Sequence, residues 1–322
     1  MRITRILAAG AIAAAALSGI STLQPVLHAA KRRKIVQPKP DVRNESYGPH
    51  QRNVFDLWKA KSDKPAPLLV YFHGGGFYGG DKNRMGQGGL LDAAVFTEAG
   101  IAVAAVNYRL TDAAPYPAQM HDAARAIQYL RHHAKKWNID PKRVAATGGS
   151  AGGGISLWLA FHDDLADPKA EDPVLRESTR LVCVVGLRVQ CTYDPREIAR
   201  IVPGKAADEE PRALRQLFGL PKETKWETLE VDETLDRLMK DASSITHLTK
   251  DDPPVFLYHQ ARQGKTGSIH HPNFGRHLEK KMKELGVECV QRLDTDYEKL
   301  DTTFEKERMA FLKKHFGMEG DR

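Results

Sequence analysis

Five residues constrain this chain more than any others: Gly148-Gly149-Ser150-Ala151-Gly152. An apolar run, residues 143–147, precedes them, and a second apolar stretch, residues 153–161, has the look of a helix. The arrangement is therefore strand, tight corner, helix. Glycines two before and two after the serine remove side chains that would collide at such a corner. The serine backbone can then hold a strained conformation that lifts its hydroxyl off the end of the strand. The helix behind it begins with unpaired N–H groups and the positive end of a dipole, a setting suited to developing negative charge.

The rest of the chain repeats this rhythm. Residues 54–58 make a short strand candidate. Residues 67–72 form a continuous apolar run, as expected of a parallel strand covered on both faces. That run ends in His73-Gly74-Gly75-Gly76-Phe77, where glycines let backbone N–H groups approach a ligand. A helix over 90–99 leads to a buried strand over 101–108. Met120, Ala124, Ile127, Leu130, Ala134 and Trp137 recur at helical spacing before the strand that carries Ser150. Downstream, strands are expected over 181–189, 254–259 and 288–293, and helices over 274–285 and 304–316. Alternating strand and helix argues for a parallel α/β sheet. Residues 193–250 are charged and poor in strand signals, which predicts a helical cap or lid inserted over the sheet edge.

The chain has 322 residues, 41% of them hydrophobic, enough to build a large core. Residues 1–30 have a positive start, an apolar Ala-rich stretch and small residues at Ala29-Ala30. They predict an export signal and a periplasmic or extracellular protein, with an uncleaved membrane anchor as the alternative. No stable membrane span is expected once the signal is removed. Residues 31–45 predict a linker, and 46–318 the folded domain. The formal charge of +7 is scattered, apart from Lys31-Arg32-Arg33-Lys34. That run is read as a solvated tail, so no nucleic-acid partner is expected. Three cysteines at irregular spacing make no disulfide framework and are expected to be buried thiols.

The two glycine motifs together resemble the α/β-hydrolase fold, in the esterase and lipase branch similar to hormone-sensitive lipase and feruloyl-esterase-like proteins. The resemblance covers about 53–316 and implies a mostly parallel central sheet with helices on both faces. It implies that Ser150 is the nucleophile and that the N–H groups of Gly75, Gly76 and Ala151 form the oxyanion hole. His73, Gly74, Gly148 and Gly152 match positions that shape the two turns, and Asp122 matches a structural one. The chemistry implied needs no cofactor.

The family also requires an acid after strand 254–259 and a histidine in the loop after the last strand. Residues 260–272 contain no carboxylate, and residues 294–301 contain no histidine. The residue types have exchanged loops. One reading has His270 or His271 reaching Ser150, with Asp294 or Asp296 orienting the imidazole, since triads are defined by geometry and not by chain order. The other has the histidines capping the following helix and the aspartates facing water. A metal set of His270, His271, Asp294 and Asp296 matches no standard ligand spacing, so no metal is expected.

Two functions follow. The first is an exported serine hydrolase that splits carboxylic esters through a Ser150 acyl-enzyme. The second is a non-catalytic binding protein that keeps the pocket for a small-molecule ligand. A serine hydroxyl without a base is a poor nucleophile, so the identity of the imidazole beside Ser150 divides them.

Overall fold

The computed structural model describes residues 35–87, 91–204, 211–225, 228–265 and 267–318. The expected export signal, residues 1–30, lies outside the described residues. Eight strands form one sheet: β1 (Val42–Ser46), β2 (Val54–Trp58), β3 (Ala66–Phe72), β4 (Ala102–Val106), β5 (Ile139–Gly149), β6 (Val184–Leu187), β7 (Val255–His259) and β8 (Cys289–Leu293). Their order is β1-β2-β4-β3-β5-β6-β7-β8. The pairs β1–β2 and β2–β4 are antiparallel, and every other pair is parallel.

The continuous apolar runs have a simple cause. Every residue of β3 is buried, because both faces of the sheet are covered. Leu68, Val70 and Phe72 point to one layer, and Leu69 and Tyr71 to the other. The first layer is completed by α2 (Ala118–His132), α3 (Ala151–Phe161) and α7 (Asn273–Glu284). The second is completed by α1 (Ala93–Glu98) and α8 (Phe304–His315). Between β6 and β7 the chain forms α4 (Pro195–Ile201), α5 (Pro211–Leu217) and α6 (Glu233–Ala242).

Two expectations need correction. The stretch 31–45, read as a linker, contains most of β1, which pairs with β2 at the sheet edge. Its side chains are half-buried or exposed, so hydrophobic alternation gave no sign of it. The strand expected over 181–189 is shorter, because the backbone turns at Arg188, which has φ 52°. All three cysteines are free, with Cys183 and Cys191 buried and Cys289 half-buried. Among the described residues, no helix is long and apolar enough to cross a membrane.

Candidate active site

Ser150 sits between the end of β5 and the start of α3, with φ 54° and ψ −125°. This is a conformation that L-residues rarely hold, and the surroundings enforce it. Its N–H donates to the carbonyl of Leu187 on the neighbouring strand end, at 2.9 Å. The corner is too tight for side chains. A Cβ on Gly152 would lie 2.0 Å from the Phe72 carbonyl oxygen, and one on Gly148 would lie 2.4 Å from the Gly152 carbonyl carbon.

The glycine loop after β3 packs directly against this corner. A Cβ on Gly74 would lie 2.6 Å from the Gly149 carbonyl oxygen and 3.5 Å from Ser150 Cβ. Gly75 and Gly76 have φ 126° and 60° and line a cavity of about 300 Å³ together with Ser150 and Ala151. No described residue accepts a hydrogen bond from the N–H of Gly75, Gly76 or Ala151. Three free donors therefore border the space beside the serine hydroxyl.

His73 holds the base of this loop. It is buried and stacks on Tyr108 with ring centroids 4.3 Å apart. Arg52 donates to its Nε2 at 3.1 Å, so Nδ1 carries the hydrogen and donates to the Gly74 carbonyl at 2.9 Å. Burial lowers its pKa to about 4. Behind the loop lies a buried ion pair, Lys82 Nζ to Asp56 Oδ2 at 2.7 Å. Asn107 bridges the Lys82 N–H and the Asp81 carboxylate. Sequence reasoning did not find this network, because its members are spread over fifty residues. Asp122 is tied to the Arg109 backbone N–H and guanidinium, remote from the hydroxyl's contacts.

The two adjacent histidines have separate fates. His270 Nε2 lies 2.8 Å from Ser150 Oγ. His271 turns the other way. Its Nδ1 accepts the N–H of Asn273 at the start of α7, and its Nε2 donates to the Gly264 carbonyl at 3.2 Å. One histidine thus meets the serine while the other caps a helix. Asp294 and Asp296, considered as partners of the imidazole, are not brought to it. Asp294 Oδ1 accepts the N–H groups of Ala261 and Thr295, and Asp296 Oδ2 accepts that of Leu293. Asp296 completes a local turn, and Asp294 ties its own turn to the loop after β7. The four residues weighed as a metal set therefore do not converge.

Among the described residues, no carboxylate contacts the His270 ring. Burial first, then the nearby Arg188 guanidinium, lowers its pKa to about 4. The ring is neutral at pH 7. For Nε2 to accept the serine hydrogen, Nδ1 must carry the ring hydrogen. Two residues that the sequence did not single out shape this corner. Arg188 lines the cavity. Gln190 is buried, and its amide donates to the Ile269 carbonyl at 2.7 Å. Neither belongs to a recognisable motif.

The far wall of the cavity is apolar. It includes Phe77, Tyr193 and Ile269, and Ala213, Leu214 and Leu217 of α5. A concave apolar chamber with a few convergent polar groups is the usual form of a small-molecule site.

An eight-stranded, mostly parallel sheet with a strained serine at its central strand end defines an α/β hydrolase. The chain belongs to the BD-FAE family, whose model matches residues 55–266. It is 28% identical over 218 residues to LipM of Mycobacterium tuberculosis, a probable carboxylic ester hydrolase, covering 66% of this chain and 46% of LipM. It is 26% identical over 243 residues to esterase LipC of the same organism, covering 74% of this chain and 54% of LipC. The chain thus spans about half the length of these curated relatives. A truncated carbohydrate esterase from gut microbiota shares the fold with a TM-score of 0.66. Identity there is 19%, covering 87% of this chain and 98% of that one.

Proposed function

We propose that this protein is an exported carboxylesterase that works through a Ser150–His270 dyad. The observation that carries the reading is the 2.8 Å contact between His270 Nε2 and the hydroxyl on the strained corner. The ester hydrolases LipM and LipC among its relatives support it. The residues 1–30 support export.

The chemistry follows from the geometry. Ser150 Oγ attacks the ester carbonyl carbon while its proton passes to His270 Nε2. The carbonyl oxygen becomes an oxyanion and takes hydrogen bonds from the N–H groups of Gly75, Gly76 and Ala151. The imidazolium then gives its proton to the leaving alkoxide. A water molecule, deprotonated by the same imidazole, releases the acid and regenerates the hydroxyl. The segment 193–250 acts as the cap, with α5 supplying the wall that contacts an apolar acyl or aryl group.

With no carboxylate at its Nδ1 among the described residues, the imidazolium is stabilised less than in a full triad. Losing the orienting acid costs about 10⁴ in turnover. This protein is therefore a slow esterase whose rate rests mainly on the oxyanion donors and on positioning. The lack of a carboxylate beside the ring among the described residues favours a second reading, a binder that no longer turns over. A fluorophosphonate probe separates the two. Covalent labelling that Ser150→Ala abolishes and His270→Ala slows supports the esterase. A folded protein that is not labelled at any pH from 5 to 9 supports the binder.

A further inference from the structure

Outside the Ser150 site, three metal-ligating side chains converge where α3 ends. His162 directly follows α3, Asp241 lies in the last turn of α6, and His247 follows the short turn Ser244–Thr246. Asp241 Oδ1 is 3.8 Å from His162 Nε2 and 3.6 Å from His247 Nε2. The candidate ligand atoms of all three lie within 4.8 Å of one another. In a tetrahedral zinc site with bonds of 2.0–2.1 Å, neighbouring ligand atoms stand about 3.3 Å apart. Small side-chain rotations span the difference.

The surroundings prepare these atoms to coordinate. His162 Nδ1 donates to the Asp163 carbonyl at 3.0 Å, which leaves the Nε2 lone pair directed at the cluster. The Trp158 indole stacks on the His162 ring at 4.1 Å and fixes its plane. The Tyr116 hydroxyl donates to Asp241 Oδ2, so Oδ1 is the oxygen left for the imidazoles. His247 Nε2 bonds to the Asp241 backbone carbonyl at 2.8 Å, but Trp158 Nε1 donates to the same oxygen at 2.8 Å. His247 can therefore shift its hydrogen to Nδ1 and turn Nε2 to an ion without stranding that carbonyl. The nearest cations of α6 are occupied, Lys240 with Asp236 at 2.7 Å and Arg237 with Glu233 at 3.7 Å.

We propose that His162, Asp241 and His247 bind one divalent transition-metal ion of the zinc class, with water as the fourth ligand. Side-chain exposures of 20%, 46% and 20% give the ion and its water access from solvent. Two nitrogens and one carboxylate oxygen suit zinc and its neighbours better than calcium or magnesium. The ion is structural. It joins the end of the helix that begins at Ser150 to the segment that carries α5 and α6. The helix puts roughly 18 Å between Ser150 and His162, so the ion takes no part in ester chemistry.

The test is zinc titration of the full, untagged protein after chelator treatment, followed by calorimetry. One equivalent binds, and a hundredfold excess over Kd raises the apparent Tm by roughly 5–10 °C. Asp241→Asn weakens binding at least tenfold, and the His162→Gln/His247→Gln pair abolishes it. Cobalt gives the ligand-field absorption of a tetrahedral site with the unaltered protein, which makes the result independent of how the variants fold. No bound equivalent with the unaltered protein overturns the proposal. So does binding that is unchanged in the folded variants.

Discussion

The buried Gln190 amide donates to the carbonyl of Ile269 at 2.7 Å, one residue before the imidazole that meets Ser150. This hydrogen bond ties the loop after β6 to the turn from which His270 projects, a turn also held by the Ser268 hydroxyl and carbonyl. Gln190→Leu deletes this buried hydrogen bond, at a cost of about 1 kcal/mol. It also loosens the imidazole, and small misplacements of a catalytic group cost up to about 10² in rate. The expected outcome is a fall in kcat of roughly 10- to 100-fold on a p-nitrophenyl ester, with KM changed less than threefold. A KM effect alone would sink the positioning role.

Burial, assisted by Arg188, lowers the His270 pKa to about 4. The base must be neutral, so kcat/KM should hold from pH 8 down to about 5 and fall as pH drops through about 4. Arg188→Gln removes the cation, and the acid limb should move upward by a measurable fraction of a unit. A wild-type limb near 6.5 would contradict the desolvated setting of the ring.

Burial, in the first instance, also lowers His73 and His259 to about 4. Each group has a folded pKa below its unfolded value of about 6.5. Between those values the unfolded chain binds more protons than the folded one, so stability falls as pH drops from 6.5 toward 4. Each histidine contributes on the order of 2 kcal/mol to the loss by pH 5. The check is the urea midpoint, which should drop clearly between pH 7 and pH 5. His73→Asn should make that drop smaller.

The Asp56–Lys82 pair is buried behind the glycine loop. Asp56→Ala strands the Lys82 ammonium, and removing one partner of such a pair costs about 3–5 kcal/mol. The Asp56→Leu/Lys82→Met variant should recover most of that stability in a denaturation experiment. Equal destabilisation by the single and the double change would mean that the pair does not anchor the loop.

The Gly75 backbone has φ 126°, and a Cβ there would lie 2.3 Å from the Gly79 carbonyl oxygen. Gly75→Ala must move the loop and its N–H. Loss of one oxyanion donor costs roughly 10²–10³ in kcat. The variant should bind an uncharged ester analogue nearly as well as the parent does, as measured by calorimetry.

The corner at Ser150 and the glycine loop after β3 were legible because their determinants are local. Positive φ at Gly75 and Gly76 and crowding at Gly148 and Gly152 dictate small residues at fixed offsets. The covered sheet was legible because burial on both faces leaves continuous apolar runs. The edge strand Val42–Ser46 left no such trace, since its side chains are half-buried or exposed.

A serine on a pinched corner facing backbone amides, within an α/β sheet, is thus written in the residues of the two glycine motifs and the apolar runs. The sequence offered two histidines and two aspartates without choosing among them. It is the folding of distant loops that brings His270 to the serine, sets His271 as a cap of α7, and leaves Asp294 and Asp296 to backbone amides. The same holds for His162, Asp241 and His247, gathered from positions about eighty residues apart. The physical reason is common to all of them. Glycine patterns record the backbone's own geometry, whereas the partner of a side chain depends on the path that distant loops take through space.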